Sequence, residues 1–377
     1  MNPIICDIGL TLLKGIGPVK ARKIVAKYEN AEAFFISALS QKPPQFIVKK
    51  PELRSQLRPA LQEAEKEWEY CQDHGISVLT PQMEAYPKRL LNCHDHPTVL
   101  YFRGNTTLNP PRMIAVVGTR SMTSYGKKMV SQLVSDLKDK GVTVVSGLAY
   151  GIDITAHREC IDHEIPTIGV LGHGLDRIYP SVHWSEARSM VNQRGGLLTE
   201  FRVGEEPSRE NFPKRNRIVA GMCDAVIVVE AARNGGALIT ASIANSYNRD
   251  VFAFPGPVGA VYSEGCNKYL KSHKASLIES VADLEYVMGW EPETQQTISF
   301  SKEEVEEENR IREEQLETLS PFAQKLIGKL DQIKERRLEL LALDLSTDIS
   351  KCLSEILMLE LDGWIEMAPG QVVKLKR

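Results

Sequence analysis

The chain has 377 residues, 42% hydrophobic and 25% charged, with a formal net charge of −3. This is the make-up of an ordinary globular protein with length for two or three domains of about 150 residues. A charge so close to balance excludes a global field that would gather nucleic acid or anionic membrane, so any anion site must be a local patch.

The N-terminal stretch MNPIICDIGL lacks a basic segment and a cleavable apolar core, so it is not read as a signal peptide. No apolar run approaches the roughly 20 residues of a membrane helix, and no membrane contact is expected. The seven cysteines (Cys6, Cys71, Cys93, Cys160, Cys223, Cys266 and Cys352) form no CxxC pair and are odd in number. They point to free thiols in a reducing, cytoplasmic setting. Residues 1–75 show helical periodicity and no convincing strand. Within them, LLKGIGPVKARKIV (12–25) resembles a helix-hairpin-helix, as in SAM-like helical domains. Its Gly15–Gly17 turn would aim backbone amides at a DNA phosphate, with Lys20 or Arg22 assisting. A turn that only packs two helices is the alternative. CHDH (93–96) offers possible metal ligands, but they crowd too closely for a tetrahedral site, and no metal is expected.

Residues 76–290 alternate apolar runs with helix patterns. The runs are MIAVVG (113–118), VTVVSG (142–147), TIGVLG (167–172), GLLTEF (196–201), AVIVVEA (225–231) and VFAFPG (251–256). Such unbroken apolar strands suit a parallel sheet covered on both faces, so a Rossmann-like, doubly wound α/β domain is expected. ISVLT (76–80) and TVLYFRG (98–104) could add a strand or two. Ligands of such sheets bind at the carboxyl ends of the strands. There the sequence reads GTRSMTSYG, SGLAYGID, LGHGLDRIYP, EAARNGGALITA and PGPVGAVYSEGCN, rich in glycine, hydroxyls and amides. Glycine turns followed by helix N-termini suit phosphate oxygens. Neither GxGxxG nor GxxxxGK[ST] occurs, so no nucleotide cofactor is expected.

FPKRNRIVAG (212–221) places Lys214, Arg215 and Arg217 in the first turn of a helix, next to Phe212 and with Asn216 between the arginines. Cations there meet the positive end of the helix dipole, and a bound polyanion would offset that. Phe212 at the mouth of a basic groove could stack on a base. The alternative is a solvated turn paired with Glu205, Glu206 and Glu210. For catalysis, Asp153 and His157 could share a helix face, and Asp176, Glu200 and Glu230 lie near strand ends. No nucleophile elbow or metal triad accompanies them, so no catalytic set is assigned. His157 reads as a hydrogen-bonded structural residue. Residues 291–320 are dense in glutamate and read as an acidic linker. Residues 321–377 pattern as helices followed by WIEMAPGQVVKLK, two strands about a Pro-Gly turn, which describes a winged helix.

Taken together, GTRSMTSYG, VVSGLAYGIDITAH, GVLGHGLDRIYP, GGLLTEF, FPKRNRIVAGMCDAVIVVEA, NGGALITASIA and VFAFPGPV resemble the DprA family of DNA-processing proteins over about residues 80–290. NGGALITA departs from many relatives by carrying Asn234 before Gly235. The resemblance implies a single-stranded DNA-binding protein, not an enzyme. It would dimerise through its Rossmann-like domain, protect incoming strands in natural transformation and load the RecA recombinase on them. It also implies that Arg120 contacts phosphate and that Lys214, Arg215 and Arg217 face the strand with Phe212 near a base. Gly118, Ser146, Gly147, Asn216, Gly235, Gly236 and Thr240 complete the expected DNA-binding set. A nucleotide-processing enzyme of the phosphoribohydrolase type is the rival, since its Pro-Gly-Gly-x-Gly-Thr turn is loosely echoed by NGGALITA.

Overall fold

The N-terminal helices begin where the sequence supplies caps. In a computed structural model, which describes residues 1–290, 310, 316, 318–368 and 371–376, α1 (Pro3–Leu12) starts behind Asn2, whose Oδ1 accepts from the Ile4 amide at 3.0 Å. α2 (Pro18–Tyr28) and α5 (Pro51–Asp73) also open on proline, at a position whose N–H has no helical partner. Between them lie α3 (Ala31–Leu39), capped by Asn30, and the single turn α4 (Gln45–Val48). Cys6, Leu10, Phe34, Phe35 and Leu57 are fully buried between these helices. The outer side of the bundle does not end there. Ile8 of α1 and Ala64 and Cys71 of α5 share a second core with Tyr101 and Leu197 of the sheet described next.

The sheet elements follow in order: β1 (Ser77–Leu79), α6 (Lys88–Leu91), β2 (Leu100–Gly104), β3 (Arg112–Val117), α7 (Ser124–Asp136), β4 (Val142–Ser146), α8 (Ile152–Asp162), β5 (Thr167–Val170), a 3-10 turn (Ser181–His183) leading into α9 (Trp184–Asn192), β6 (Gly195–Thr199), α10 (Asn211–Gly221), β7 (Ala225–Val228), α11 (Gly236–Ser246), β8 (Asp250–Ala253), α12 (Glu264–Lys271), β9 (Ser276–Leu277) and α13 (Val281–Met288). They form one sheet of order β1-β2-β6-β5-β4-β3-β7-β8-β9. Pairing from β6 to β9 is parallel, and β1 and β2 are antiparallel additions. The doubly wound arrangement expected from the apolar runs is therefore present. Side-chain alternation gives each face its cover: Met113, Ala115 and Val117 pack under α10 and α11, while Ile114 and Val116 pack under α7 and α8. Each of the six central strands ends one to three residues before its apolar run does. The surplus residues turn out of the sheet and build the site.

All seven cysteines are buried as free thiols. Burial raises their pKa values, for example to about 11 at Cys6 and about 12 at Cys266. Among the described residues no helix is long and apolar enough to cross a membrane.

The chain divides into two compact units, Met1–Glu291 and Pro292–Arg377. The second contains α14 (Pro321–Ile333), β10 (Glu335–Arg337), α15 (Leu338–Asp344), α16 (Ile349–Leu361), β11 (Ile365–Ala368) and β12 (Val372–Leu375). Its three strands pair antiparallel in the order β10-β12-β11 over a core that includes Leu326, Leu330, Leu341, Ile356 and Val373. β10 has no counterpart in the sequence expectation. Pro369 and Gly370 of the expected turn, and most of the acidic stretch 291–320, lie outside the described residues.

Candidate nucleic-acid interface

Strand order reverses between β3 and β7, so the crevice for a ligand opens where these two strands end. The end of β7 is stitched to the start of the β3–α7 turn. The Thr119 amide donates to the Glu230 carbonyl at 2.8 Å, and the Glu230 carboxylate accepts from the Thr123 amide (3.0 Å) and hydroxyl (2.6 Å). Glu230 is thereby a fastening for the N-terminus of α7 rather than a free base. A Cβ on Gly118 would lie 2.4 Å from Ile152 Cγ1, so packing against α8 already requires glycine there. Arg120, next in the turn, is exposed.

Its guanidinium carbon lies 5.4 Å from the centroid of Phe212, the second residue of α10. The Phe212 ring in turn meets exposed Tyr179 at 6.0 Å, tilted by 34°. Tyr179 comes from LGHGLDRIYP at the end of β5, a stretch noted as a strand end without a role for its tyrosine. A cation on one side and a second ring on the other leave Phe212 half-exposed in an aromatic and basic corner. Such a corner suits a stacked base beside a phosphate.

The three cations of α10 part company. Lys214 is exposed, with Nζ 3.4 Å from Asn211 Oδ1. Arg215 is only 4% exposed and donates from Nη1 to the Val170 carbonyl at 3.0 Å. It fills space left by Gly147, where a Cβ would lie 1.6 Å from that nitrogen. Its charge stands near buried Asp153, whose pKa burial raises while Arg215 and the Ala149 and Gly147 amides oppose the rise. Burial likewise lowers the pKa of Arg215 itself. Arg217 is paired with Glu200 and also donates to the Asp95 carbonyl. The sequence offered Glu205, Glu206 and Glu210 as partners, and the chain uses Glu200 instead. Of the three, Lys214 alone is exposed; Asn216 is half-buried on the same helix.

The remaining expected residues scatter in role. Ser146 is fully buried, its hydroxyl donating to the Val116 carbonyl at 2.6 Å. Gly235 precedes α11, with its amide on the Ala232 carbonyl at 2.9 Å, and exposed Gly236 opens that helix. Thr240, one turn further, is 3% exposed. Arg233 and Asn234 stay exposed in the turn before them. In the α1–α2 hairpin Gly15 adopts φ +81°, and Lys20 Nζ donates to its carbonyl at 2.8 Å. Gly17 borders a cavity of about 580 Å³ that Glu200, Asn211, Lys214 and Arg217 also line. The hairpin turn and the basic helix thus share one cavity, a juxtaposition invisible in the sequence.

The acidic and histidine candidates are held by structure. His157 Nδ1 lies 2.7 Å from the Thr167 hydroxyl, which itself donates to the Val144 carbonyl at 3.0 Å. The imidazole therefore donates from Nδ1, and burial pulls its pKa down to about 3, so it is neutral at working pH. Burial alone would raise the Asp176 pKa, but the Gly204 amide and Arg177 hold it below the usual value. In CHDH, His96 sits 2.9 Å from the Cys93 carbonyl and 3.3 Å from Arg22 of α2, pinning the hairpin to the sheet unit. Among the described residues no group of three or more His, Cys, Asp or Glu could hold a metal ion.

Residues 77–288 match the profile of the DNA recombination-mediator protein A family. The chain belongs to that family. Protein Smf of Escherichia coli is 34% identical over 303 residues, covering 80% of this chain and 78% of that protein. The family description is that of a recombination mediator, not of a catalyst. Among solved structures, DNA processing protein A from Streptococcus pneumoniae superposes with a TM-score of 0.63 at 30% identity, covering 76% of this chain and 98% of the other. DNA processing protein A from Helicobacter pylori, described for its single-stranded DNA binding mode, gives 0.51 at 30% identity over 56% of this chain and 95% of its own. The family resemblance carried by the strand-end motifs is thus borne out.

Proposed function

We propose that this protein binds single-stranded DNA at the carboxyl edge of its sheet, protects incoming strands during transformation and recombination, and helps place the RecA recombinase on them. The observation that carries the reading is the exposed corner of Arg120, Phe212 and Tyr179 at the point where strand order reverses. Lys214 supplies a second phosphate contact, and Arg215 and Arg217 act as the framework beneath. The solved relative from Helicobacter pylori described for single-stranded DNA binding supports the ligand class. The Gly15–Gly17 turn, bordering the same cavity as Lys214, is read as a further phosphate contact.

Each cation on phosphate releases counterions when the strand binds, so Arg120→Ala and Lys214→Ala are each expected to flatten the salt slope by about 0.7. Fluorescence anisotropy of a labelled oligonucleotide over a salt series measures this. The same preparation is titrated with AMP. Sustained release of adenine or ribose 5-phosphate, abolished by changing Glu200 or Glu230, would replace this reading with that of a nucleotide-processing enzyme.

The sheet unit is read as self-sufficient for strand binding, because its core closes without the second unit. A chain ending at residue 290 is expected to keep its fold by circular dichroism and most of its oligonucleotide affinity. Loss of that affinity in a folded truncation would assign the C-terminal unit to the main site. That unit has the element order of a winged helix, and its α16 carries Lys351 beside Glu355 and Glu360. A homodimer through the Rossmann-like unit is supported by exposed Leu277, Tyr286 and Val287 at the β9–α13 edge.

A further inference from the structure

A second groove of about 510 Å³ lies beside the segment 175–178 that follows the end of β5. Arg103 of β2, Leu197 of β6 and one side of α9 also line it. Arg103 of β2 stands two residues from Tyr101, on the face where Ala187 and Met190 of α9 pack. From α9 itself, Arg188 lies over the ring of Trp184, 5.3 Å from its centroid. Trp184 is nonetheless 56% exposed.

Three features specify the occupant. The first is charge. Arg103, Arg177 and Arg188 against Asp176 give this lining a formal +2 on a chain of −3. Arg177 is committed to Asp176 and Glu206, and Glu186 of α9 to Arg158. Among the described residues no carboxylate pairs with Arg103 or Arg188. The second is the ring: a large exposed indole next to unneutralised guanidinium groups is a stacking platform with phosphate donors beside it. The third is continuity. Ile178 lines the groove, and the next residue, Tyr179, meets Phe212.

We infer that this groove carries the continuation of the single strand, with a base stacked on Trp184 and phosphates on Arg103 and Arg188. The inference rests on the strand-binding reading of the Arg120–Phe212 corner and extends it to longer strands.

The test is a length series of oligothymidylates, from about 4 to about 16 nucleotides, titrated against the full chain and its variants. Wild type is expected to gain affinity with length beyond what the shortest strands show. Trp184→Ala should bind the shortest strands as wild type does and lose roughly 5- to 140-fold of affinity for the longest. Trp184→Phe should retain most of the gain. Arg103→Ala with Arg188→Ala should lower the salt slope for long strands by about 1.4, leaving that for short strands unchanged. Full retention of the length-dependent gain in folded variants overturns the groove while leaving the corner intact. Variants that bind DNA normally but lose self-association overturn it too, because the groove is then a protein contact. Absence of binding to any strand by wild type overturns the corner, and the groove with it.

Discussion

Arg215→Met is expected to lower the unfolding free energy by about 1–3 kcal/mol, the usual cost of leaving a buried acceptor without its donor. The substitution leaves the Asp153 carboxylate without its nearby cation and the Val170 carbonyl without its donor. Urea unfolding followed by circular dichroism measures the effect, and an unchanged midpoint and slope would show that Arg215 is dispensable. The loss has a defined pH dependence. Burial already places the folded-state pKa of Asp153 above its unfolded value, and removing Arg215 raises it further. A carboxyl of that kind favours folding while protonated and penalises it once ionised. The unfolded chains titrate alike, so the deficit should be smallest in acid and grow as pH rises through the raised folded-state pKa of Asp153. Arg215→Met combined with Asp153→Asn should recover part of the loss, because no charge is then left buried.

Phe212→Ala is expected to weaken single-strand binding by about 1–3 kcal/mol, with the salt slope nearly unchanged. The ring is the meeting point of Arg120 and Tyr179. Its loss removes a stacking face but no charge. Phe212→Leu separates the two contributions of the side chain: it keeps apolar bulk against Gly172, whose absent Cβ would lie 3.2 Å from the ring, and loses the π-face. Both variants should bind with similar weakness. Wild-type affinity in either would place the base elsewhere, and a flattened salt slope would show that Phe212 acts only by positioning Arg120.

The central strands were legible because each is a run of apolar residues covered on both faces. β9 was not, since Ser276 and Leu277 are too short a stretch to show a pattern. The attachment of α1 and α5 to the sheet also escaped. It depends on Ile8 and Cys71 sharing one core with Leu197, more than a hundred residues away in the chain, and helical periodicity does not say what a helix packs on. In the site, Arg120 and Phe212 were picked out by motif, and the structure sets them 5.4 Å apart. Arg215 reads like its neighbours because arginine in a basic run is ordinarily at the surface. Its burial follows from Gly147, on another strand end, which leaves the guanidinium its space. The pairing of Arg217 with Glu200 was missed for a related reason. Nearer acids, Glu205, Glu206 and Glu210, looked like partners along the sequence, but the helix turns Arg217 toward the end of β6.

The burial of all seven thiols bears on how this protein can be handled. Neutral, enclosed sulfurs react slowly with maleimides, because the thiolate is the attacking species. One cysteine introduced at an exposed position, such as Val258 at 95% exposure, would be the reactive thiol of the folded chain with none of the native seven replaced. A fluorophore could be attached there to follow a bound strand, and its stoichiometry would report directly whether the native cysteines stay enclosed in solution.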